Sequence, residues 1–162
     1  LAGSQNDDAS IGGLDRIFFN DVWYSNDGSE WHAATMDAPW EARAGGVVLV
    51  KGGWLYLLGG EKGFVDPADY INDVWRTKDG KHWELVTENA GWSPRPGHKC
   101  AVLANHFVCM GGFGIPFNPM DIWVSKDGAS WKQVSDSPWN ATSPDDIRYD
   151  FDMLTVKGGM GG

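Results

Sequence analysis

The stretch Asn20-Asp21-Val22-Trp23 decides the fold of this 162-residue chain, because it recurs at a nearly constant interval. It returns as Asn72-Asp73-Val74-Trp75 and again as Met120-Asp121-Ile122-Trp123. Each copy is followed by an Asp-Gly pair and then by another tryptophan, at Trp31, Trp83 and Trp131. A period of about 50 residues is typical of repeat proteins in which each repeat is one supersecondary unit.

Within a repeat, the pattern predicts four short strands. Strand one covers residues 45–51 and 97–103, and strand two covers residues 54–58 and 106–110. Strand three is the Asp-Val-Trp segment, and strand four begins at the next Trp. The Asp-Gly pairs and Gly52-Gly53 predict hairpins, because Gly accepts the positive φ that such turns require. No segment has a 3.6-residue periodicity, so we expect an all-β fold with almost no helix.

These features together resemble the kelch repeat: a strand ending in Gly-Gly, an Asp-Val-Trp strand, a later Trp, and an Arg before the next strand. The order Asp-Val-Trp-x-Ser-x-Asp-Gly-x-x-Trp is similar to the kelch repeats of secreted microbial proteins. The resemblance implies a β-propeller with blades of four antiparallel strands. Residues 1–162 are therefore interpreted as one kelch-type segment of about three blade equivalents, with repeats at approximately 1–58, 59–110 and 111–162.

Both ends of the sequence match the inside of a repeat. Leu1-Ala2-Gly3 matches Leu58-Gly59-Gly60, and residues 156–160 match residues 50–54. Propellers usually close with about four to eight blades. We therefore expect a larger closed propeller. Its remaining blades come either from the same protein or from identical chains, and in the second case two arcs would make a six-bladed ring.

Strand alternation places the longer loops on one side of the blades, here called the long-loop face. Residues 4–17, 61–70 and 113–119 are predicted to connect strand two to strand three there. Binding residues are common on loops held by a rigid scaffold. The candidates are the acidic and aromatic side chains of these loops: Asp7, Asp8, Glu61, Phe64, Asp66, Asp69, Phe113 and Phe117.

Another set of loop residues recurs once per repeat and is expected to brace neighbouring blades: Trp40, Trp92, Trp139, Arg43, Arg95 and Arg148. Paired Asp side chains could hold Ca²⁺, which takes about six to eight oxygen ligands, but no spacing resembles a known calcium loop. The four histidines are His32, His82, His98 and His106, and their positions do not suggest a copper site. We expect no metal, no cofactor and no catalytic residue.

The two cysteines are predicted to face each other. The turn at Gly52-Gly53 corresponds to Ala104-Asn105, and counting outward from that turn places Cys100 opposite Cys109 in a non-hydrogen-bonded pair. That geometry is within disulfide reach. Two buried thiols remain the alternative, since the equivalent pair in the preceding repeat, Val48 and Leu57, is apolar.

Asn140-Ala141-Thr142 is an N-glycosylation sequon in a predicted loop. With the cysteine pair and the secreted kelch variant, it favours an extracellular or cell-surface glycoprotein. The net charge of −9 argues against nucleic-acid binding, which depends on clustered cations. No apolar run approaches the ~20 residues of a membrane-spanning helix.

Two functional interpretations follow. The first is an extracellular binding or structural module that contacts a protein or a glycan through its long-loop face. The second, implied by the same resemblance, is a fragment of a carbohydrate-active enzyme of the galactose-oxidase-like or sialate-epimerase-like kelch type. Fold class does not separate them, because propellers have many functions.

Overall fold

The computed structural model describes residues 2–7, 16–63, 66–114, 118–139 and 148–156. These residues form eleven β-strands and one short 3-10 helix at Pro67–Asp69. The strands are β1 (Ala2–Asp7), β2 (Arg16–Tyr24), β3 (His32–Thr35), β4 (Val47–Lys51), β5 (Trp54–Glu61), β6 (Tyr70–Thr77), β7 (Trp83–Thr87), β8 (Lys99–Leu103), β9 (His106–Met110), β10 (Asp121–Ser125) and β11 (Trp131–Asp136).

The strands form three antiparallel sheets in which neighbours along the chain are neighbours in space. Sheet 1 has the order β1-β2-β3, sheet 2 the order β4-β5-β6-β7, and sheet 3 the order β8-β9-β10-β11. Residues of high strand propensity dominate strands such as β4, Val47–Lys51, with its three valines. The prediction of an all-β fold with four-stranded antiparallel sheets is confirmed.

The hairpins between strands one and two have the geometry expected from the sequence. Gly52 and Gly53 have φ values of 59° and 78°, and Ala104 and Asn105 have values of 47° and 62°. Two successive residues with positive φ are typical of a type I′ turn. The correspondence between Gly52-Gly53 and Ala104-Asn105 is confirmed, although Ala104 adopts this conformation without the freedom of a glycine.

The connections between strands three and four are built around the aspartate of each Asp-Gly pair. Asp79 Oδ1 accepts hydrogen bonds from the backbone N–H groups of Lys81 at 2.9 Å and His82 at 2.8 Å. Gly80 has φ +74° and its carbonyl oxygen accepts from Trp83 Nε1 at 3.0 Å. The same contacts recur at Asp27 and Asp127. The Asp-Gly-x-x-Trp segment of each repeat therefore stabilises the turn between strands three and four.

Several strands extend further toward the long-loop face than the sequence predicted. β1 continues to Asp7, which pairs with Arg16, so residues 4–7 and 16–17 are strand and not loop. β5 continues through Gly59-Gly60 to Glu61, which pairs with Tyr70. In β1 a bulge at Gly3, and in β5 a bulge at Gly59, lets the ladder resume beyond it.

The register also shifts the predicted alignment of the first residues by one position. Ala2 pairs with Val22, and Leu58 pairs with the equivalent Val74. Ala2, and not Leu1, therefore corresponds to Leu58. The similar composition of residues 1–3 and 58–60 suggested that these segments are equivalent. The position of the bulge determines which residue corresponds to which.

Adjacent sheets pack face to face through two apolar clusters. One lies between sheets 1 and 2 and includes Val22, Trp40, Leu57 and Trp83; the other lies between sheets 2 and 3 and includes Tyr56, Leu58, Val74, Trp92 and Phe107. The rings of Tyr56 and Phe107 meet edge to face with centroids 4.8 Å apart.

Backbone hydrogen bonds join the residues that precede strand one in successive repeats. Gly97 N donates to Gly45 O at 3.0 Å, and Asp150 N donates to Gly97 O at 2.9 Å. All three residues have positive φ, of 64°, 67° and 51°. Asp150 is thus the third member of the series, and Asp is one of the few residues other than glycine that adopts this conformation readily.

Candidate binding surface

The loop between β5 and β6 presents three of the predicted carboxylates. Asp66 caps the 3-10 helix by accepting a hydrogen bond from Ala68 N at 2.8 Å. Lys62 N donates to Asp69 O at 2.9 Å, which folds the loop back on itself. The Asp69 carboxylate lies so close to Gly63 that a side chain at that position would collide with it. Glu61, at the end of β5, completes the acidic group.

Tyr70 joins these carboxylates to an aromatic surface. Its side chain is buried at the start of β6, directly opposite Glu61 in the ladder. Burial raises the pKa of Tyr70 above its usual value, and the negative charges of Glu61 and Asp69 raise it further. The phenol therefore stays protonated at neutral pH.

A row of aromatic rings continues from Tyr70 across two further loops. The Tyr70 and Phe113 centroids are 6.2 Å apart, and the Phe113 and Tyr149 centroids are 6.5 Å apart, both in edge-to-face geometry. Phe113 is held by a hydrogen bond from its N–H to Pro96 O at 2.9 Å. Tyr149 is 53% exposed and ends the row at the surface.

The structure therefore brings together Glu61, Asp66, Asp69 and Phe113 on the long-loop face. Asp7 lies in β1, where its side chain is not described. Asp8, Phe64, Phe117 and Asn140 lie outside the described residues.

Sequence analysis missed Tyr70 and Tyr149 as members of this surface. The sequence places Tyr70 at the end of the predicted loop 61–70, whereas in the structure it is the first residue of β6. A signal for Tyr149 was present: it follows the repeated Arg148, where the other repeats have Ala44 and Pro96. Since Ala and Pro serve at this position in the other repeats, an aromatic residue there is not needed for the fold and indicates a binding role for Tyr149.

Trp40, Trp92 and Arg43 have the bracing role that was predicted for them, whereas Arg148 is exposed. Trp40 packs edge to face on Trp83 of the following sheet, with centroids 5.7 Å apart, and Trp92 packs likewise on Trp131 at 6.0 Å. Arg43 donates its backbone N–H to Phe19 O in β2, while its guanidinium binds Asp73 in β6. One residue thus connects sheets 1 and 2.

The two cysteines form a disulfide. Cys100 is paired with Cys109 in the β8–β9 ladder, with Cα atoms 4.1 Å apart. Both residues are buried, and both belong to the apolar cluster between sheets 2 and 3. The bond therefore links two neighbouring strands at the face that packs on sheet 2.

His98 is buried and neutral. Burial lowers the pKa of His98 to about 3, and the nearby Arg95 charge acts in the same direction. Its Nδ1 lies 3.0 Å from Arg95 O, so the Nδ1–H form donates there, and its ring packs on Trp92 with centroids 5.0 Å apart. In the part of the chain that the structure describes, no three His, Cys, Asp or Glu side chains are grouped to hold a metal ion.

A cavity of about 370 Å³ lies between sheets 1 and 2, at the end opposite to the long loops. Its walls include Val22, Ala34, Val48 and Leu55. Leu55 has the ladder position that Phe107 has in sheet 3, where the larger ring fills the space against Tyr56. The cavity thus results from looser packing between sheets 1 and 2 than between sheets 2 and 3. None of the predicted binding residues lines it.

Among the described residues, no helix has the length and apolar character needed to cross a membrane. No known protein family matches the sequence, and no curated protein matches it. The fold, however, is shared with solved structures. YjhT superposes with a TM-score of 0.65 at 16% sequence identity, over 85% of this chain and 48% of that one. The chain spans about half the length of YjhT, and at this identity the likeness shows the fold alone.

Proposed function

We propose that this chain is a kelch-type segment of an extracellular propeller and that its long-loop face binds a carbohydrate. The observation that carries the proposal is the aromatic row Tyr70–Phe113–Tyr149 beside the carboxylates of Glu61 and Asp69. It lies on loops anchored by successive sheets, which is where a rigid scaffold presents a binding site.

The kelch assignment is supported by what the repeated residues do. Arg43 binds Asp73, and Arg95 binds Asp121 through the same pair of guanidinium nitrogens. The Arg before strand one and the Asp of the Asp-Val-Trp segment thus act as a unit in two consecutive repeats. That gives a physical reason for the spacing of the motif.

The proposal of a larger propeller is supported by the environment of Trp31. The equivalent Trp83 packs on Trp40 of the preceding repeat, and Trp131 packs on Trp92. Trp31 is 51% exposed, which is unusual for a residue whose equivalents hold sheets together. We infer that a further blade, from the same protein or an identical chain, covers it.

An extracellular location is supported by the Cys100–Cys109 disulfide, because disulfides persist in oxidising compartments. The Asn140-Ala141-Thr142 sequon agrees with this location. Intact mass before and after glycosidase treatment tests modification of Asn140.

Carbohydrate is the ligand class that fits best, because sugars offer both apolar ring faces and hydroxyl donors. Aromatic side chains contact the apolar faces, and carboxylates accept hydrogen bonds from hydroxyl groups. The exposed ring of Tyr149 and the partly buried ring of Phe113 give a sugar a surface at the edge of the acidic group.

A glycan array followed by calorimetry tests this proposal. Tyr149→Ala should weaken binding of the selected oligosaccharide by about tenfold, the value of one aromatic contact. Tyr24→Ala is the matched control, because Tyr24 has 50% exposure and lies at the end of β2 on the opposite face. Equal effects of the two changes would contradict the assignment of the face. Turnover of a bound sugar would favour the alternative of a carbohydrate-active enzyme. Binding of a protein but of no sugar would show that the ligand is a protein and not a carbohydrate.

A further inference from the structure

The turns at the opposite end of sheets 2 and 3 carry positive charge, although the whole chain has a net charge of −9. We define the turn-face patch as Lys51, Trp54, Arg76, Lys78 and Lys126. Lys81, in the same turn as Lys78, adds a fifth cation. Three carboxylates lie in these turns or at the start of the strand that follows: Asp79, Glu84 and Asp127. The five cations therefore outnumber the anions at this end of the sheets. The long-loop ends of the same sheets carry the acidic surface described above.

Three cations of the turn-face patch, Lys51, Arg76 and Lys78, are held in place by the protein. The Arg76 guanidinium carbon lies 4.2 Å from the centroid of the Trp54 ring, and Lys78 Nζ lies 4.6 Å from it. Lys51 Nζ donates a hydrogen bond to Lys126 O at 2.7 Å and lies 5.1 Å from the Phe107 ring centroid. Contacts of this kind fix long side chains that would otherwise lose rotamer entropy when a ligand binds.

Lys78 and Lys126 occupy equivalent positions in the repeat, but Lys51, Trp54 and Arg76 do not recur in sheet 3. In sheet 3, Leu103 and His106 occupy the paired positions of Lys51 and Trp54. The position of Arg76 in β6 is taken by Val124 in β10, opposite Lys132. Residues with a purely structural role should recur in each sheet, as the pairs Arg43–Asp73 and Arg95–Asp121 do. The stack of Arg76 and Lys78 on Trp54 occurs in sheet 2 and has no counterpart in sheet 3, as expected for a binding surface on a repeated scaffold.

From this we propose that the turn-face patch binds an anionic polysaccharide, at a site separate from the long-loop surface. Ordered cations on rigid strand ends suit a stiff ligand whose negative charges recur at regular intervals. A sugar chain with a carboxylate on successive units has that property. A flexible acidic peptide would lose more conformational entropy on binding the same fixed charges.

Calorimetry with polygalacturonate tests the proposal, with uncharged dextran and poly-glutamate as comparison ligands. The protein should bind polygalacturonate with an affinity that falls as salt rises, because exposed charges are screened. Lys78→Gln should weaken this binding by about fivefold, the order expected for one exposed charge contact. Lys62→Gln is the matched control: it removes the same charge from the long-loop face, and should change the affinity by less than about twofold.

A second variant separates this site from the proposed carbohydrate surface. Tyr149→Ala should leave polygalacturonate binding unchanged, since Tyr149 lies on the opposite face. The proposal is wrong if polygalacturonate does not bind, if Lys78→Gln weakens dextran binding as much as polygalacturonate binding, or if Lys62→Gln and Lys78→Gln have the same effect. Binding of poly-glutamate as tight as that of polygalacturonate would also overturn it, because the surface would then accept an acidic peptide.

Discussion

Arg43 binds Asp73 through both ends of its guanidinium group, with Nη1–Oδ1 at 2.5 Å and Nη2–Oδ2 at 2.9 Å. The Arg43 side chain is 1% exposed and the Asp73 side chain 16%. Arg43 Nη1 also donates to Gly59 O at 3.2 Å, and Trp75 Nε1 donates to Asp73 Oδ2 at 2.7 Å. This group fastens the loop before β4 to the end of β5 and the middle of β6, at the base of the long-loop face.

Asp73→Asn should lower the free energy of unfolding by about 3 kcal/mol, because it leaves a buried guanidinium without its counter-charge. Glu84→Gln is the control: Glu84 pairs with Arg76, but its side chain is 56% exposed, so the loss should stay below about 1 kcal/mol. Urea denaturation measures both. Similar losses in the two variants would show that the buried pair has no special weight.

Ala104→Gly should stabilise the protein by about 0.5–1 kcal/mol. Ala104 has φ 47°, where a Cβ atom is strained, and the equivalent hairpin has Gly52. Ala101→Gly, in the middle of β8, should instead destabilise by a similar amount, because there glycine adds only unfolded-state entropy. Thermal unfolding of both variants should therefore give shifts of opposite sign, and shifts of the same sign would contradict the turn geometry.

The disulfide should leave no thiol available for alkylation in the unreduced protein. Reduction should cost about 2–3 kcal/mol of stability, because the bond closes a loop of roughly ten residues. The variant C100V/C109L copies Val48 and Leu57 of the preceding repeat and should still fold, since that pair occupies the same ladder positions. Two alkylated thiols per unreduced chain would refute the bond.

Stability should fall as the pH drops below about 6.5, partly through His98. The pKa of His98 is lowered to about 3 in the folded protein from 6.5, so the unfolded chain binds more protons in between. The contribution is complete above pH 6.5 and is lost as the pH falls toward 3. His98→Phe, which copies Phe151 of the third repeat, should flatten this dependence between pH 4.5 and 6.5. Asp79 and Asp127 remain ionised over that range, because hydrogen bonds from His82 and from the Ser130 backbone hold the pKa of each carboxyl group below its usual value.

His106→Gln is the control for that measurement, because His106 is an exposed turn residue. It should leave the slope of unfolding free energy against pH as it is. An unchanged slope in His98→Phe would mean that His98 is not held neutral by burial.

Most of the sheet architecture could be predicted because it is local and repeated. The bounds of β9 were predicted correctly, and so was the pairing of Cys100 with Cys109, since the length of a two-residue hairpin fixes the register of its strands. The extension of β1 to Asp7 was not predicted. It depends on a bulge, and bulges leave little trace in a pattern of alternating residues.

The candidate site was predicted only in part, for a related reason. Glu61, Asp69 and Phe113 belong to loops, and their chemistry alone suggested a role. Tyr70 and Tyr149 complete the aromatic row only because loops of successive sheets meet, at centroid distances of 6.2 and 6.5 Å through Phe113. Contacts between residues so far apart in sequence have no signature in a single repeat.

The central claim is that the long-loop face is the carbohydrate site, and hydrogen–deuterium exchange with the oligosaccharide selected by the array tests it most directly. Bound ligand should slow exchange in residues 61–70, 111–114 and 148–150, while the turn at residues 78–82 stays unchanged. Protection confined to residues 78–82, or no protection in the three loops at a saturating ligand concentration, would contradict the claim.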